Sequence, residues 1–431
     1  MANADFIAVA GFVALFAMMA LRVPIGVAMG LIGVGGFAAI TGMKPALNLL
    51  AQSPIRVITD FNLSLIPFFV LMGVFATNSG MSRELFRAGH AWLGFLKGGM
   101  ALSTIAACGG FAAICGSSVA TAATMTKIAL PEMRRVGYPN DVSSGVIAAG
   151  GTLGILIPPS VVLAVYAYIT EQDVGKLFIA GILPGGLAVL MYMATVRIAY
   201  GRSLPRGETF VLREAVASLR DVWAVLILFI AIIGSMYLGI ATATEAAAVG
   251  SFLTAVIGVA RGRLNLTSIM DSLIEALRTS VAIYTILIGA VLLGYFLAIT
   301  QTPQKITAFL VALDFGAYGT LALILAFFLI MGCILDAMAM IILLVPIVFP
   351  VVTHLGFDPI WFGVIIVMTV ELGLITPPVG MNVFVINTIA REVSLVTIFR
   401  GVLPFVMTDI VRLILLIVFP AIVLFLPMTM K

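Results

Sequence analysis

The sequence contains few charged residues and almost no histidine. Only 10% of its 431 residues are Asp, Glu, Lys or Arg, 2 are histidine, and 62% are hydrophobic. A soluble domain cannot bury that much apolar surface, whereas each helix that spans a lipid bilayer needs about 20 mostly apolar residues. The composition therefore excludes a sizeable soluble domain and predicts an all-α polytopic membrane protein.

The motifs of several enzyme and pump classes are also missing. Cys108, Cys115 and Cys333 lie in apolar stretches without the spacing of a metal site. There is no P-loop and no HExxH motif, which argues against an ATP-driven pump and a zinc hydrolase. A net charge of +4 gives no reason to expect a nucleic-acid partner. We expect a protein that is not an enzyme, with no transition metal.

Two proline pairs lie inside long apolar stretches, in the motifs GILIPPS and GLITPPV. Proline lacks an N–H and clashes with the carbonyl four residues back, which belongs here to Gly154 and Gly373, and we expect glycine to leave room for that displaced carbonyl. Non-helical backbone at membrane depth is tolerated only when it is buried in protein or lines a wet cavity. We therefore predict broken helices at 141–170 and 359–390, whose freed carbonyls can bind a cation. A simple proline kink is the alternative.

The two halves of the chain share an ordered set of matches at constant spacing. Pro131 matches Pro350, and the pair Pro158-Pro159 matches Pro377-Pro378. Such matches indicate an internal repeat, as in secondary transporters. Two apolar segments, at 100–131 and 317–352, are less apolar in the middle. We expect them to be two re-entrant hairpins that enter the membrane from opposite faces, which makes the repeat inverted.

Arginine positions predict the orientation, because cytoplasmic loops carry an excess of Lys and Arg. The arginines expected in the cytoplasm include Arg134, Arg135, Arg202, Arg206, Arg213 and Arg220. Counting crossings outward from the polar linker at 201–221 places the N-terminus outside.

Polar residues at the hairpin tips are candidate ligands. The first tip, CGSSVAT, supplies Gly116, Ser117 and Ser118, although ordinary small-residue packing explains them equally well. Asp336 in the second tip matches Ser117. A carboxylate at membrane depth is a functional candidate, and the alternative is pairing with backbone N–H groups at a helix start.

Four further polar features have structural alternatives. Thr242 and Glu245 have the spacing of a capping box. Asp409 and Arg412, three apart, are expected to neutralise each other. Glu371 either lines the second broken helix or pairs locally. Lys127 either snorkels to the cytoplasm, which we favour, or attracts an anion.

Together the motifs resemble the large membrane subunit of tripartite ATP-independent periplasmic (TRAP) transporters, the DctM-like family. The likeness lies in CGSSVAT, ALPEMRRVGYP, GTLGILIPPS, LFIAGILPGG, TATEAAAVG, ILDAMAM and ELGLITPPVGMN. It implies Na⁺-coupled import of a small, C4-dicarboxylate-like organic acid by an elevator-type fold in the bacterial inner membrane, with a periplasmic N-terminus. It also implies two partners, a small DctQ-like membrane subunit and a periplasmic DctP-like binding protein, and no cofactor besides Na⁺ as coupling ion.

The resemblance also implies site residues and domains. One Na⁺ site falls on Gly116, Ser117, Ser118, Gly151, Thr152 and Gly154. The other falls on Asp336, Gly373, Thr376 and Gly380. The implied substrate residues are Ser117, Ser118, Pro158, Pro159, Ser160, Asp336, Pro377, Pro378 and Asn382. Scaffold helices and arms are expected in 1–99 and 222–316, transport-domain repeats in 100–200 and 317–431, and a cytoplasmic linker in 201–221.

Two other functions stay open. A stand-alone Na⁺/carboxylate symporter of the same architecture would carry the same breaks and hairpins. An intramembrane hydrolase could use a serine of the first tip, but neither histidine is predicted near it.

Overall fold

A computed structural model describes residues 2–201, 204–205 and 207–430. Met1, Arg202, Ser203, Arg206 and Lys431 lie outside the described residues, so two of the arginines used for the orientation are not placed. In chain order the α-helices are α1 (Ala2–Ala20), α2 (Ile25–Thr41), α3 (Met43–Ile58), α4 (Leu65–Asn78), α5 (Met81–Leu93), α6 (Gly99–Cys115), α7 (Ser118–Arg135), α8 (Asn140–Leu156), α9 (Val161–Thr170), α10 (Val174–Tyr200), α11 (Leu212–Tyr237), α12 (Ala243–Ala260), α13 (Leu266–Ile299), α14 (Thr302–Ala312), α15 (Gly316–Gly332), α16 (Ala337–His354), α17 (Pro359–Ile375), α18 (Met381–Ile389), α19 (Leu395–Val418) and α20 (Ala421–Thr429).

The described chain has 8 helical stretches that are long and apolar enough to cross a membrane. The stretch Asn140–Thr170 is the most enclosed, with 94% of its apolar window buried, against 39% for Leu212–Tyr237. Asn140–Thr170 therefore lies at the centre of the bundle, and the long outer helices present apolar side chains to lipid. This confirms the predicted all-α membrane architecture.

Helices end and restart inside each of the four stretches that the sequence singles out. The hairpin α6–α7 turns at Gly116 and Ser117, and the hairpin α15–α16 turns at 333–336. The helices α8 and α9 are separated by 157–160, and α17 and α18 by 376–380. Both proline pairs are joined by a cis peptide bond.

Equivalent helices of the two halves make equivalent contacts. The helix α2 packs against α13, and α4 packs against α12. Farther inside, α7 follows the first hairpin tip and packs against α18, while α16 follows the second tip and packs against α9. In each half, the helix that follows the hairpin tip thus packs against the second segment of the other half's broken helix.

Polar segments hide a helix or a helix start from a search for apolar runs. Helix α3 was missed, because polar residues such as Lys44 and Gln52 lower its hydropathy. Helix α11 begins at Leu212, inside the segment 201–221 that was taken as a linker, since LREAVASLRD is polar enough to mask it. Helix α13 also begins in a polar stretch, at Leu266, and runs to Ile299. The capping box of Thr242 and Glu245 is confirmed at the start of α12.

Two glycines let α8 and α19 touch backbone to backbone. A β-carbon on Gly145 would lie 2.1 Å from the carbonyl oxygen of Gly401, and one on Gly401 would lie 1.8 Å from that of Asp141. Such distances leave no room for any side chain. Small residues at helix crossings allow this close approach in membrane proteins, where dispersion replaces the hydrophobic effect as the packing force.

This contact predicts that Gly401→Ala lowers the thermal stability of the purified protein, by about 1–3 kcal/mol if the helices separate to relieve the clash. Gly294→Ala on α13 is the matched control, because a β-carbon there meets nothing within 4 Å. The measurement is the apparent melting temperature in detergent. Equal melting temperatures for the two variants would contradict the packing argument.

Candidate functional site

The tip of hairpin α6–α7 lies directly against the break between α8 and α9. A β-carbon on Gly116, whose φ is +64°, would lie 2.7 Å from the carbonyl oxygen of Pro159. One on Gly154 would lie 2.5 Å from the carbonyl oxygen of Ser117. The structure thus brings together predicted ligands from two segments, and only glycine fits at either contact.

The hydrogen bonds around this first break leave a backbone oxygen available. Pro158 has no N–H, and the N–H of Ile157 donates to the carbonyl of Leu153 at 3.0 Å. The carbonyl of Gly154 therefore has no donor from its own helix. Across the contact, the carbonyl of Ser117 accepts from the hydroxyl of Thr121 at 2.8 Å. Backbone carbonyls and hydroxyls gathered in this way are ligands suited to Na⁺.

The second break has a related but unequal arrangement. A β-carbon on Gly373 would lie 2.7 Å from the backbone of Gly332, the last residue of α15. The carbonyl of Gly373, predicted to be freed, instead accepts from the N–H of Thr376 at 3.2 Å. The carbonyl left without a helical donor is that of Leu374, because Pro378 lies four residues on.

The two glycines have a different role from the one predicted from sequence. Gly154 and Gly373 were expected to make room for their own displaced carbonyls. Each instead admits the backbone of a hairpin, at Ser117 in the first half and at Gly332 in the second. Glycine is required at both positions by a contact between distant segments, which cannot be predicted from the clash of proline with the carbonyl four residues back.

Asp336 caps a helix. Its carboxylate accepts from the N–H of Ala339 at 2.6 Å and so begins α16. Ser117 caps α7 in the same way, accepting from the N–H of Ala120 at 3.3 Å. The match between Ser117 and Asp336 is therefore one of structural position. In the described residues no hydrogen bond joins the Asp336 side chain to the second break. Its contact is the one given by the alternative interpretation, a bond to a backbone N–H at the start of a helix.

The remaining predicted Na⁺ residues take separate positions. A β-carbon on Gly151 would lie 2.8 Å from the β-carbon of Ala122 on α7. The hydroxyl of Thr152 donates to the carbonyl of Ala149 at 2.8 Å. The hydroxyl of Thr376 donates to the carbonyl of Leu372 at 2.5 Å. Gly380, at φ +62°, begins α18, and Ser118 is buried with 4% of its surface exposed.

The predicted substrate residues divide by exposure. Pro158, Pro159 and Ser160 are buried, and the Ser160 hydroxyl donates to the carbonyl of Ile155 at 2.5 Å. Asn382 is buried, with its side-chain amide 3.4 Å from the carbonyl of Ala148 on α8. The predicted residues that reach open space are Ser117, Asp336, Pro377 and Pro378.

A buried charge network joins the two broken helices, and the sequence reveals only part of it. Arg412 donates to Glu371 at 3.0 Å and lies 2.9 Å from Asp409. Tyr192 donates to both carboxylate oxygens of Asp409, at 2.8 Å each, and its hydroxyl lies 3.2 Å from that of Thr152. No member of the network exposes more than 2% of its surface. The predicted pairing of Asp409 with Arg412 is confirmed, and Glu371 pairs rather than lines the break.

The network links α8, α10, α17 and α19. It runs from Thr152, beside the first break, to Glu371, two residues before Gly373. Arg412 also lies over the ring of Tyr192, 5.4 Å from its centroid. Asp409 and Arg412 can be paired from the sequence because they lie three residues apart in one helix. No sequence signal connects Tyr192 or Thr152 to that pair.

Removing the cation should destabilise this region strongly. Arg412→Gln leaves two buried carboxylates without their counter-ion, and breaking a buried ion pair from one side costs about 3–5 kcal/mol. Tyr192→Phe is the control, because it removes a neutral donor while Asp409 keeps its counter-ion, at a cost of about 1.5–3 kcal/mol. The measurement is the melting temperature and yield of each purified variant. An Arg412→Gln protein as stable as Tyr192→Phe would contradict this account.

Comparisons with known proteins agree with this architecture. The family model described as "Tripartite ATP-independent periplasmic transporter, DctM component" matches residues 12–422. The chain is 39% identical over 398 residues to the C4-dicarboxylate TRAP transporter large permease protein DctM of Pseudomonas aeruginosa, covering 90% of this chain and 93% of that protein.

Two further proteins extend the likeness. The isethionate TRAP transporter permease protein DctMQ of Oleidesulfovibrio alaskensis is 35% identical over 421 residues, covering 96% of this chain and 65% of that longer protein. The crystal structure of the Alcanivorax borkumensis YdaH transporter has the same fold, with a TM-score of 0.65 at 16% identity, over 88% of this chain and 90% of that one.

The sequence relatives are named as transporter permeases, so the chain is a transport protein rather than an enzyme. The family resemblance predicted from the motifs is confirmed by a model that matches nearly the whole length. The chain belongs to the DctM family, the large permease subunits of tripartite ATP-independent periplasmic transporters.

Proposed function

We propose that this permease uses a Na⁺ gradient to import a small organic acid. The observation that carries the proposal is the contact of the first hairpin tip with its break, where the carbonyl of Ser117 lies against Gly154. Unwound carbonyls beside half-helix ends are the usual Na⁺ ligands in secondary transporters. The second site would use Asp336, Gly373, Thr376 and Gly380 around the second break.

The substrate class is an anion of the size of a C4-dicarboxylate. Support comes from the relatives, one of which is named for C4-dicarboxylates and one for isethionate, a sulfonate. Helices α7 and α16 begin at the two hairpin tips, and the N-terminus of a helix attracts anions. Ser117, Asp336, Pro377 and Pro378, which reach open space, would line the substrate site, with Ser118, Pro158, Pro159, Ser160 and Asn382 behind them.

The transport step would be an elevator movement, in which one group of helices slides relative to a fixed scaffold. The matching element order and the equivalent helix contacts support an inverted repeat. The hairpins and broken helices, in 100–200 and 317–431, would move as one body, since the charge network ties α8, α10, α17 and α19 together. The helices in 1–99 and 222–316 would form the scaffold.

The orientation and partners complete the proposal. The N-terminus would lie in the periplasm and the segment around 201–211 in the cytoplasm of a bacterial inner membrane, as the arginine distribution indicates. A small membrane subunit would bind the scaffold, and a periplasmic binding protein would deliver the acid. A stand-alone symporter would need neither partner.

Uptake of labelled succinate into proteoliposomes tests the coupling. With both partner proteins present, uptake should need an inward Na⁺ gradient and no ATP. Replacing Na⁺ by K⁺ at constant membrane potential should abolish it. Equal uptake in K⁺ would contradict Na⁺ coupling, and full uptake without the binding protein would favour the stand-alone symporter.

A further inference from the structure

A basic cleft lies between the arm helix α5 and the hairpin helix α7. It consists of two adjoining cavities of about 440 and 450 Å³. Both cavities are lined by Arg83 and Arg87 of α5 and by Lys127 and Ile128 of α7. One wall therefore belongs to the proposed scaffold and the other to the proposed moving body.

Three of the cations near this cleft lie beside a carboxylate. Glu84 is buried and binds the guanidinium of Arg261 through two hydrogen bonds of 2.8 Å each. Arg263 lies 3.8 Å from the same carboxylate. At the outer end of the cleft Arg135 lies 3.0 Å from Glu132.

Arg83, Arg87 and Lys127 are different, because none of them makes an ion pair or a hydrogen bond with the described residues. Arg83 and Arg87 are one helical turn apart on the exposed face of α5, a spacing at which like charges destabilise a helix. Lys127 faces them from α7, since all three line the same cavities. Three exposed cations converging on one space without a counter-ion form an arrangement that an anion would stabilise.

One face of α7 runs from the cleft toward the first hairpin tip. Ser117, Ala120 and Thr124 are half-buried, and Lys127 and Pro131 are exposed, at spacings of three and four residues. Residues at this spacing lie on one face of a helix. The residues between them on the opposite face, such as Met125, are buried. At a rise of about 1.5 Å per residue, Lys127 lies about 15 Å along the helix from the tip.

Neutral polar groups line the inner part of the cleft. Thr77 and Asn78 at the end of α4, and Thr124 on α7, surround the first cavity. The amide of Asn78 donates to the hydroxyl of Ser272 at 2.8 Å, which fixes its position. A lining of neutral polar groups beside the cations is suited to a small hydrated anion.

We infer that Arg83, Arg87 and Lys127 form a second binding site for a small carboxylate anion, occupied as the anion leaves the hairpin tip for the cytoplasm. The arginines present paired N–H donors to a carboxylate, and Lys127 adds a point charge. The site rests on the proposed function for the direction of movement and the class of anion. Of the two interpretations of Lys127 left open by the sequence, it favours attraction of an anion.

The charge of the cleft can be measured without any transport assay. In the full chain carrying Thr124→Cys, the rates of modification by a sulfonate-bearing and by a trimethylammonium-bearing methanethiosulfonate are compared, each relative to its rate with free cysteine. The native cysteines Cys108, Cys115 and Cys333 are buried, and the protein without the new cysteine gives the background. We expect the sulfonate reagent to be favoured about tenfold or more.

Two further arms identify the anion. Arg83→Gln with Arg87→Gln and Lys127→Gln should abolish the preference, whereas Arg197→Gln, an exposed arginine outside the cleft, should leave it unchanged. Excess succinate should slow the sulfonate reagent in the protein with the native cations. Equal rates for the two reagents would overturn the inference. Protection by phosphatidylglycerol but not by succinate would also overturn it, in favour of a lipid site.

The outcome can be separated from that of the proposed function. Labelled succinate uptake is measured with the same protein in proteoliposomes with its partners. If the reagent preference and succinate protection hold but uptake does not need Na⁺, the anion site stands and the Na⁺-coupled mechanism fails. If uptake needs Na⁺ but the reagents react equally, the anion site fails alone.

Discussion

The centre of this protein depends on backbone-to-backbone contact between a helix hairpin and a break in another helix. A membrane provides no water for a carbonyl that loses its helical donor, so the break must be enclosed by protein. Gly154 admits the carbonyl of Ser117, and Gly373 admits the backbone of Gly332. These contacts fix where the hairpins sit, and the hairpins in turn fix the positions of α7 and α16 against α18 and α9. In the proposed function, the enclosed carbonyls bind the coupling ion.

The buried charge network serves the same enclosed region. Arg412 lies between Glu371 and Asp409, and none of the three is exposed to more than 2%. Placing these charges in an apolar interior costs much more than an alternative apolar core would, so their retention needs a specific reason. Fixing the relative positions of α17, α19 and α10 is such a reason, since an ion pair with few good geometries specifies one packing arrangement. The network thereby ties the two broken helices to each other.

Sequence reasoning predicted the helix interruptions, the family and several local pairs because these depend on neighbours in the chain. Proline pairs break helices wherever they occur, and the capping box at Thr242 needs only Glu245. The sequence did not predict the role of Gly373, whose partner Gly332 is far away, or the link from Tyr192 to Asp409. Helix α3 was missed because an amphipathic helix does not have the apolar run on which a membrane search depends. Asp336 was predicted as a functional candidate, and the hydrogen bond that its carboxylate makes is that of a helix cap.

Binding of radioactive Na⁺ to the purified chain tests most directly whether both hairpin contacts form ion sites. Gly154→Ala should displace Ser117 and Gly373→Ala should displace Gly332, while Gly294→Ala, which meets nothing within 4 Å, serves as the control. The account predicts that each of the first two variants, if still folded by its melting curve, binds less Na⁺ than the control, and that the double variant binds almost none. Folded variants that bind as much Na⁺ as the control would contradict it.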